Sequence, residues 1–295
     1  MSSRSEWWIT SPQQLTIDAP VSRLEVRVVG GAVNVVGTDA RAADGRARLE
    51  VSAIEGPPLR VVHQDGTLTV AYDDIPWQGF LKLLDGTGWR RSADVTLAVP
   101  ATAVVKVGAI GAGTVVSGVT GGTEIRGITG ETTLTGLGGR VRAHTVSGGV
   151  EAQGLSGELA FHSVSGNLTV LDGAAAVKAD TVNGDLLLDL AGDGPGGGDA
   201  TPTDLSLTSV SGEIAVRLPG QPDAEVEAHT TAGTLSSAFD GLRTDGHWGA
   251  RRLTGTLGTG HGRLKATTVS GGIALLRRPP ARTGTAHAPT FVKDA

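Results

Sequence analysis

The chain has 295 residues, with 45 Gly, 13 Pro, one Met and no Cys, and its few aromatics are five Trp, four Phe and one Tyr. The formal net charge is −5, with the two signs interspersed. Such a chain excludes a wide core filled by large rings, disulfides, thiolate metal sites and a Cys nucleophile, and it offers no basic field for nucleic acid or an anionic membrane. What remains is a narrow core of Val, Leu, Ile and Ala with many tight corners, where glycine supplies positive φ.

The first hundred residues read as β-rich but irregular. Met1 to Thr10 is polar with two tryptophans and lacks the apolar run of a signal peptide. No stretch of about 18 apolar residues, the length of a transmembrane helix, occurs anywhere. A cytoplasmic protein is the default expectation, with display on the extracellular surface left open. Leu24-x-Val26-x-Val28 and Val33-x-Val35 flank Gly30-Gly31 and alternate as short strands do. Leu59 to Tyr72 predicts a hairpin around Asp65-Gly66, a two-residue turn signal. Asp94 to Val99 is a further strand, closed by Pro100. Between these lies PWQGFLKLLDGTGWRR (76–91), the one stretch of helical character.

From residue 101 to 278 the chain repeats itself. Successive blocks read GVTGGTEIR (118–126), GITGETTLT (127–135), GLGGRVRAH (136–144), TVSGGVEAQ (145–153), GLSGELAFH (154–162), SVSGNLTVL (163–171), DGAAAVKAD (172–180) and TVNGDLLLD (181–189). One glycine recurs every nine residues, from Gly121 to Gly184, with Ala175 standing in once. Alternation such as Val150-x-Ala152 or Leu159-x-Phe161 marks a short strand with one face inward, and the rest of each block is a corner. An apolar residue two before the glycine, such as Val146 or Val164, is expected to plug that corner. His144, His162 and Asp180 each precede a Thr/Ser-Val-Ser/Asn-Gly run at steps of 18 residues, which predicts two strands per coil. The fold expected is all-β: a flattened β-solenoid or β-helix, right-handed by the parallel-crossover rule. Blocks resume at SVSGEIAVR (209–217), TTAGTLSSA (230–238) and TVSGGIALL (268–276). They are interrupted by a Gly-rich loop at 191–204 and an excursion at 239–249 carrying Phe239, Leu242 and Trp248. The tail, 279–295, has the composition of a disordered segment.

The Val-Ser-Gly blocks, the opening EWWITSPQQLTIDAPVSRLEVRVVGGAVNVVG and the closing ATTVSGGIALLRRPP together resemble an uncharacterised bacterial putative-adhesin family of β-solenoid domains, over roughly residues 5 to 278. That resemblance implies a β-helical fold and carries no catalytic or binding residues with it.

Three constellations are candidates for chemistry. At 18-residue spacing His144, His162 and Asp180 occupy one column, with His229 further along it. Two imidazoles and a carboxylate can ligate Zn²⁺, and the alternative is a polar ladder facing water. Thr145, Ser163, Thr181 and Ser209 form a hydroxyl column that satisfies corner backbone groups; Ser163 follows His162, but neighbours on a strand point to opposite faces. The 76–91 segment gathers Trp77, Phe80, Leu81 and Trp89 beside Arg90 and Arg91, either as a cap over an open end or as a partner-binding patch. Glu151 and Asp189 belong to one face without the spacing of an acid/base pair. The expected function is a non-enzymatic binding or scaffold protein without a cofactor, its partner an unknown protein, a glycan or a copy of itself. The alternatives are a carbohydrate-active enzyme and a membrane-peripheral module using 76–91.

Overall fold

The computed structural model describes residues 4–39, 45–72, 91–173, 176–190, 203–247 and 249–279. The 76–91 segment apart from Arg91, most of the 191–204 loop and the tail beyond 279 therefore lie outside the described residues. Every regular element described is a strand. The N-terminal part supplies β1 (Ser5–Ile9), β2 (Gln13–Ile17), β3 (Arg23–Val28), β4 (Gly30–Thr38), β5 (Ala47–Glu55), β6 (Leu59–Gln64), β7 (Thr67–Ala71) and β8 (Ser92–Pro100). Then follow β9 (Val104–Ala109), β10 (Gly113–Ser117), β11 (Thr123–Gly127), β12 (Thr132–Thr135), β13 (Val141–His144) and β14 (Val150–Gln153). The middle holds β15 (Leu159–His162), β16 (Leu168–Gly173), β17 (Ala176–Asp180), β18 (Leu186–Leu190), β19 (Asp204–Thr208) and β20 (Ile214–Leu218). The last are β21 (Ala224–Thr230), β22 (Leu235–Ser237), β23 (Arg243–His247), β24 (Ala250–Leu257), β25 (Arg263–Thr268) and β26 (Ile273–Arg277).

These strands form two large, mostly parallel sheets, one of 14 strands and one of 12. The chain alternates between them, so odd-numbered strands from β9 to β19 build the first sheet and even-numbered ones the second. Thr123 lies beside Val141, Val141 beside Leu159 and Leu159 beside Val177, a step of 18 residues each time. In the second sheet Thr114, Thr132, Val150, Leu168 and Leu186 run in the same step. Inward side chains of both sheets join one hydrophobic cluster. Fully burying each Val or Leu there contributes about 1.5–3 kcal/mol. Phe161 fits this narrow core because its neighbours on either side are Ala143 and Ala179.

Both ends depart from chain order. Strands β3 and β4 sit between β7/β8 and β9/β10, while β25 and β26 sit between β19/β20 and β21/β22. The N-terminal strands thus belong to the same two sheets, and antiparallel β1, β2, β5 and β6 continue them outward. The expected hairpin is present as β6 and β7, with Asp65 at φ 50° and Gly66 at φ 73° in its turn. The 239–249 excursion leads into a second hairpin, β23 and β24, at the far end of the first sheet. Phe239 is buried there with Arg277 over its ring, 4.8 Å from the centroid, while Trp248 lies outside the described residues.

The two corners of a coil are chemically different. One opens on Gly118, Gly136 or Gly154, at φ 62° to 66°, with Asp172 at φ 47° in the same place one coil on. That left-handed residue turns the next side chain inward, and Val119, Leu137 and Leu155 are buried as plugs. At the other corner the prediction of an apolar plug is corrected. Val146 is only partly buried, and Val164 is 49% exposed. The corner is filled instead by the hydroxyl three residues before the glycine. The repeat glycines themselves are needed for close approach: a Cβ at Gly184 would run into the carbonyl oxygen of Gly166 on the adjacent coil.

Candidate functional site

The Thr/Ser-Val-Ser/Asn-Gly corner builds its site from the inside out. Ser209 accepts a hydrogen bond from the Gly212 N–H at 2.8 Å and donates to the Gly184 carbonyl at 3.3 Å. Thr268 and Thr230 repeat this pattern, accepting from Gly271 and Gly233 and donating to Gly212 and Gly271. Thr181 likewise bridges Gly184 N–H and Gly166 carbonyl, and Thr145 donates to Ser163 at 3.0 Å. Ser163 in turn accepts from the Gly166 N–H, so the hydroxyl column expected from the sequence is a corner ladder turned into the coil, away from His162.

With the hydroxyl inward, the next residue must point out. Val164, Val182, Val210 and Val269 stand on successive coils, 49%, 42%, 43% and 47% exposed. They form an apolar ridge with a pitch of about 4.8 Å. Singly exposed valines are ordinary, whereas four in unbroken register are not. Ser165, Asn183, Ser211 and Ser270 line one side of it, Ser211 donating to the Asn183 side chain at 2.6 Å. The other side is the column His144, His162, Asp180, Thr208, Thr267 and His229.

This is the histidine column expected from the sequence, and the structure does bring its members side by side. The rings of His144 and His162 stack, with centroids 5.1 Å apart and planes inclined by 20°. His162 Nδ1 lies 3.2 Å from Asp180 Oδ2. Among the described residues no three His, Asp or Glu side chains come together as a metal site. Burial holds the His144 pKa below the ordinary histidine value, and the charges of His162, Arg126 and Arg142 act the same way against the opposing pull of Glu124. His229 shares the column but stands beyond Thr208 and Thr267.

On the outer face of the second sheet Glu151 and Asp189 are indeed both outward, but Asp189 is held by Arg217 at 3.0 Å and Arg278 at 3.3 Å. Of the expected patch at 76–91, Trp77, Phe80, Leu81, Trp89 and Arg90 lie outside the described residues. Arg91 is within them, its guanidinium 5.9 Å from the Tyr72 ring centroid and its carbonyl accepting from Gly30 N–H.

One cluster has no counterpart among the sequence candidates. Asp223, nearly buried, accepts at Oδ1 from three successive N–H groups, those of Thr259 at 2.8 Å, Gly260 at 2.6 Å and His261 at 3.2 Å. The Thr259 hydroxyl reaches both carboxylate oxygens, and His261 Nδ1 lies 3.1 Å from Oδ2. Burial alone would push the Asp223 pKa up, but the Thr259 hydroxyl, the His261 N–H and ring, and the Gly260 N–H hold it down at about 2. Hydroxyl, imidazole and carboxylate are in contact, yet Thr259 and Asp223 meet the same ring nitrogen, so there is no relay of the hydrolase kind, which needs the hydroxyl on Nε2. The set is a clasp that ties the turn before β25 to the start of β21. The only sequence signal was the run Gly258-Thr-Gly-His-Gly262, which reads as a turn.

Among solved structures, the chain is similar to a putative cell adhesion protein from Clostridium sporogenes, at 9% identity over 91% of this chain and 100% of that one, with a TM-score of 0.28. It is also similar to a putative adhesin from Bacteroides fragilis, at 12% identity over 94% of this chain and 97% of that one, with a TM-score of 0.39. No curated protein matches the chain. The Toastrack DUF4097 family model matches residues 23–276, spanning both the irregular first strands and the repeat, and the chain belongs to that family.

Proposed function

We propose that the protein is a non-enzymatic binding or scaffold module, wound as a right-handed solenoid, whose valine-ridged corner is a contact edge between copies of itself. The observation that carries this reading is the unbroken row Val164, Val182, Val210 and Val269 between two nearly uncharged margins. The chain as a whole carries a net charge of −5, so two copies repel over most of their surface. At this edge Asp180 is the one carboxylate, and His, Ser, Asn and Thr provide the rest. Covering a half-exposed valine contributes about 1 kcal/mol. Four from each copy roughly offset an association cost of about 4–15 kcal/mol, so the contact is weak and gains from crowding or tethering. The reading applies equally to a cytoplasmic protein and to one displayed outside the cell.

Sedimentation velocity over a wide concentration range tests this. Wild type is expected to shift toward a dimer as concentration rises, and the Val182→Glu/Val210→Glu double variant to stay monomeric with the same far-ultraviolet spectrum. A wild type that sediments as a monomer throughout, or a variant that associates equally well, sinks the proposal.

A further inference from the structure

On the outer face of the first sheet one column reads Lys106, Glu124, Arg142, Ala160, Lys178, Ser206, Lys265 and Glu227. Cations occupy every second coil, at intervals of about 9.6 Å. The residues between the later ones, Ala160 and Ser206, are small, so the cations stand above a recessed floor. Arg263 joins them from the neighbouring column, beside Asp204.

Pairing separates this group from the other charges. Lys106 and Arg126 bind Glu124, Arg140 binds Glu158 at 2.8 Å, and Arg252 binds Glu227 at 2.7 Å. Arg142, Lys178, Lys265 and Arg263 form no ion pair among the described residues, although all four are exposed. Two shallow depressions of about 480 and 600 Å³ meet on this face, and Arg263 and Lys265 line both. Their acids are Glu158, Asp204, Glu225 and Glu227. Glu158 and Glu227 pair with the arginines just named, Asp204 accepts the Arg263 backbone N–H at 3.2 Å, and Glu225 stands beside Arg263 in the strand register.

We infer that this face binds an extended acidic polysaccharide lying along the stack, its anionic groups seated against Arg142, Lys178, Lys265 and Arg263. A polymer of alternating neutral and acidic sugars carries one charge per two rings, which suits cations on alternate coils separated by small residues. Nucleic acid suits the spacing poorly, since each strand carries a charge about every 3.4 Å of rise. The cation column lies two residues along the same strands from the His162 and Asp180 column that borders the valine edge, but the two sets share no residue, so variants in one leave the other intact and either proposal can fail without the other.

Calorimetric titration of the full chain with hyaluronan fragments, neutral dextran and double-stranded DNA tests the inference. Saturable binding of hyaluronan at low salt is expected, weakening as salt screens the contacts. The exposed-site double variant Lys178→Ala/Lys265→Ala should lose about tenfold in affinity. Arg243→Ala, on the terminal hairpin, should bind as wild type does, and dextran should not bind. The inference is overturned if hyaluronan fails to bind, if the double variant binds as tightly as wild type, or if DNA binds as tightly with the same dependence on the two lysines. Thermal unfolding of both variants checks that a loss of binding is not a loss of fold.

Discussion

Two serines two residues apart, on the same corner, should differ sharply in what they contribute to stability. Ser209 is 1% exposed; it accepts from Gly212 N–H at 2.8 Å and donates to the Gly184 carbonyl on the neighbouring coil at 3.3 Å. Ser209→Ala removes one oxygen and almost no volume, so no cavity term enters. The buried Gly212 N–H loses its partner, which costs about 1–3 kcal/mol, and the bond to Gly184 adds about 0.5–1.5 kcal/mol. A total of about 1.5–4.5 kcal/mol is expected. Ser211 also makes two hydrogen bonds, to the Val182 carbonyl and the Asn183 side chain, but it is exposed and water replaces them. Ser211→Ala should cost about 0.5 kcal/mol or less. Equilibrium urea unfolding with tryptophan fluorescence measures both, and the slope of each transition must match wild type for the comparison to hold. Equal destabilisation by the two substitutions, or a larger loss from Ser211→Ala, refutes the inward assignment of the hydroxyl ladder.

Two further predictions concern pH. The Asp223 carboxyl titrates at about 2 in the folded chain, against about 3.9 when unfolded, so its stabilisation is complete above the unfolded value and disappears as pH falls toward 2. Asp223→Asn should unfold at lower urea than wild type at neutral pH and lose less on acidification; acid titration followed by circular dichroism checks this, and parallel curves for the two proteins count against the clasp. His144 resists protonation in the folded state, so its contribution is full above the unfolded value of about 6.5 and declines as pH drops below it. His144→Gln should therefore lose less stability than wild type between about pH 7 and about pH 5, read from urea midpoints, and an unchanged difference would mean that the stacked pair does not sense protons.

Much of the architecture was legible in the residues, because a nine-residue period with alternating apolar positions admits few arrangements. The 18-residue step of His144, His162 and Asp180 reappears as strand pairing, and Asp65-Gly66 turns the hairpin it announces. The column of Gly130, Gly148, Gly166 and Gly184 was visible as spacing, though its reason was not. A Cβ at any of the last three would strike the preceding coil's carbonyl, a contact between residues 18 apart that no local propensity reports.

Tertiary structure alone decided which way the corners face. Leu137 and Val164 both precede a repeat glycine by two residues, yet Leu137 is buried and Val164 is half exposed. The difference lies in the residue before each of them. Gly136, at φ 62°, swings Leu137 into the coil, while Ser163 fills the corner with its own hydroxyl and leaves Val164 outside. Nor could the sequence order the coils. Strands β25 and β26 carry the same inward pattern as the blocks before them and would fit any vacant slot between parallel neighbours. Their place between β19/β20 and β21/β22 is set by the Asp223 clasp and by strand pairing across 59 residues of chain, contacts that exist only once the stack has formed. Period and pattern determine that this chain stacks, and long-range pairing determines which residues the stack leaves on its surface.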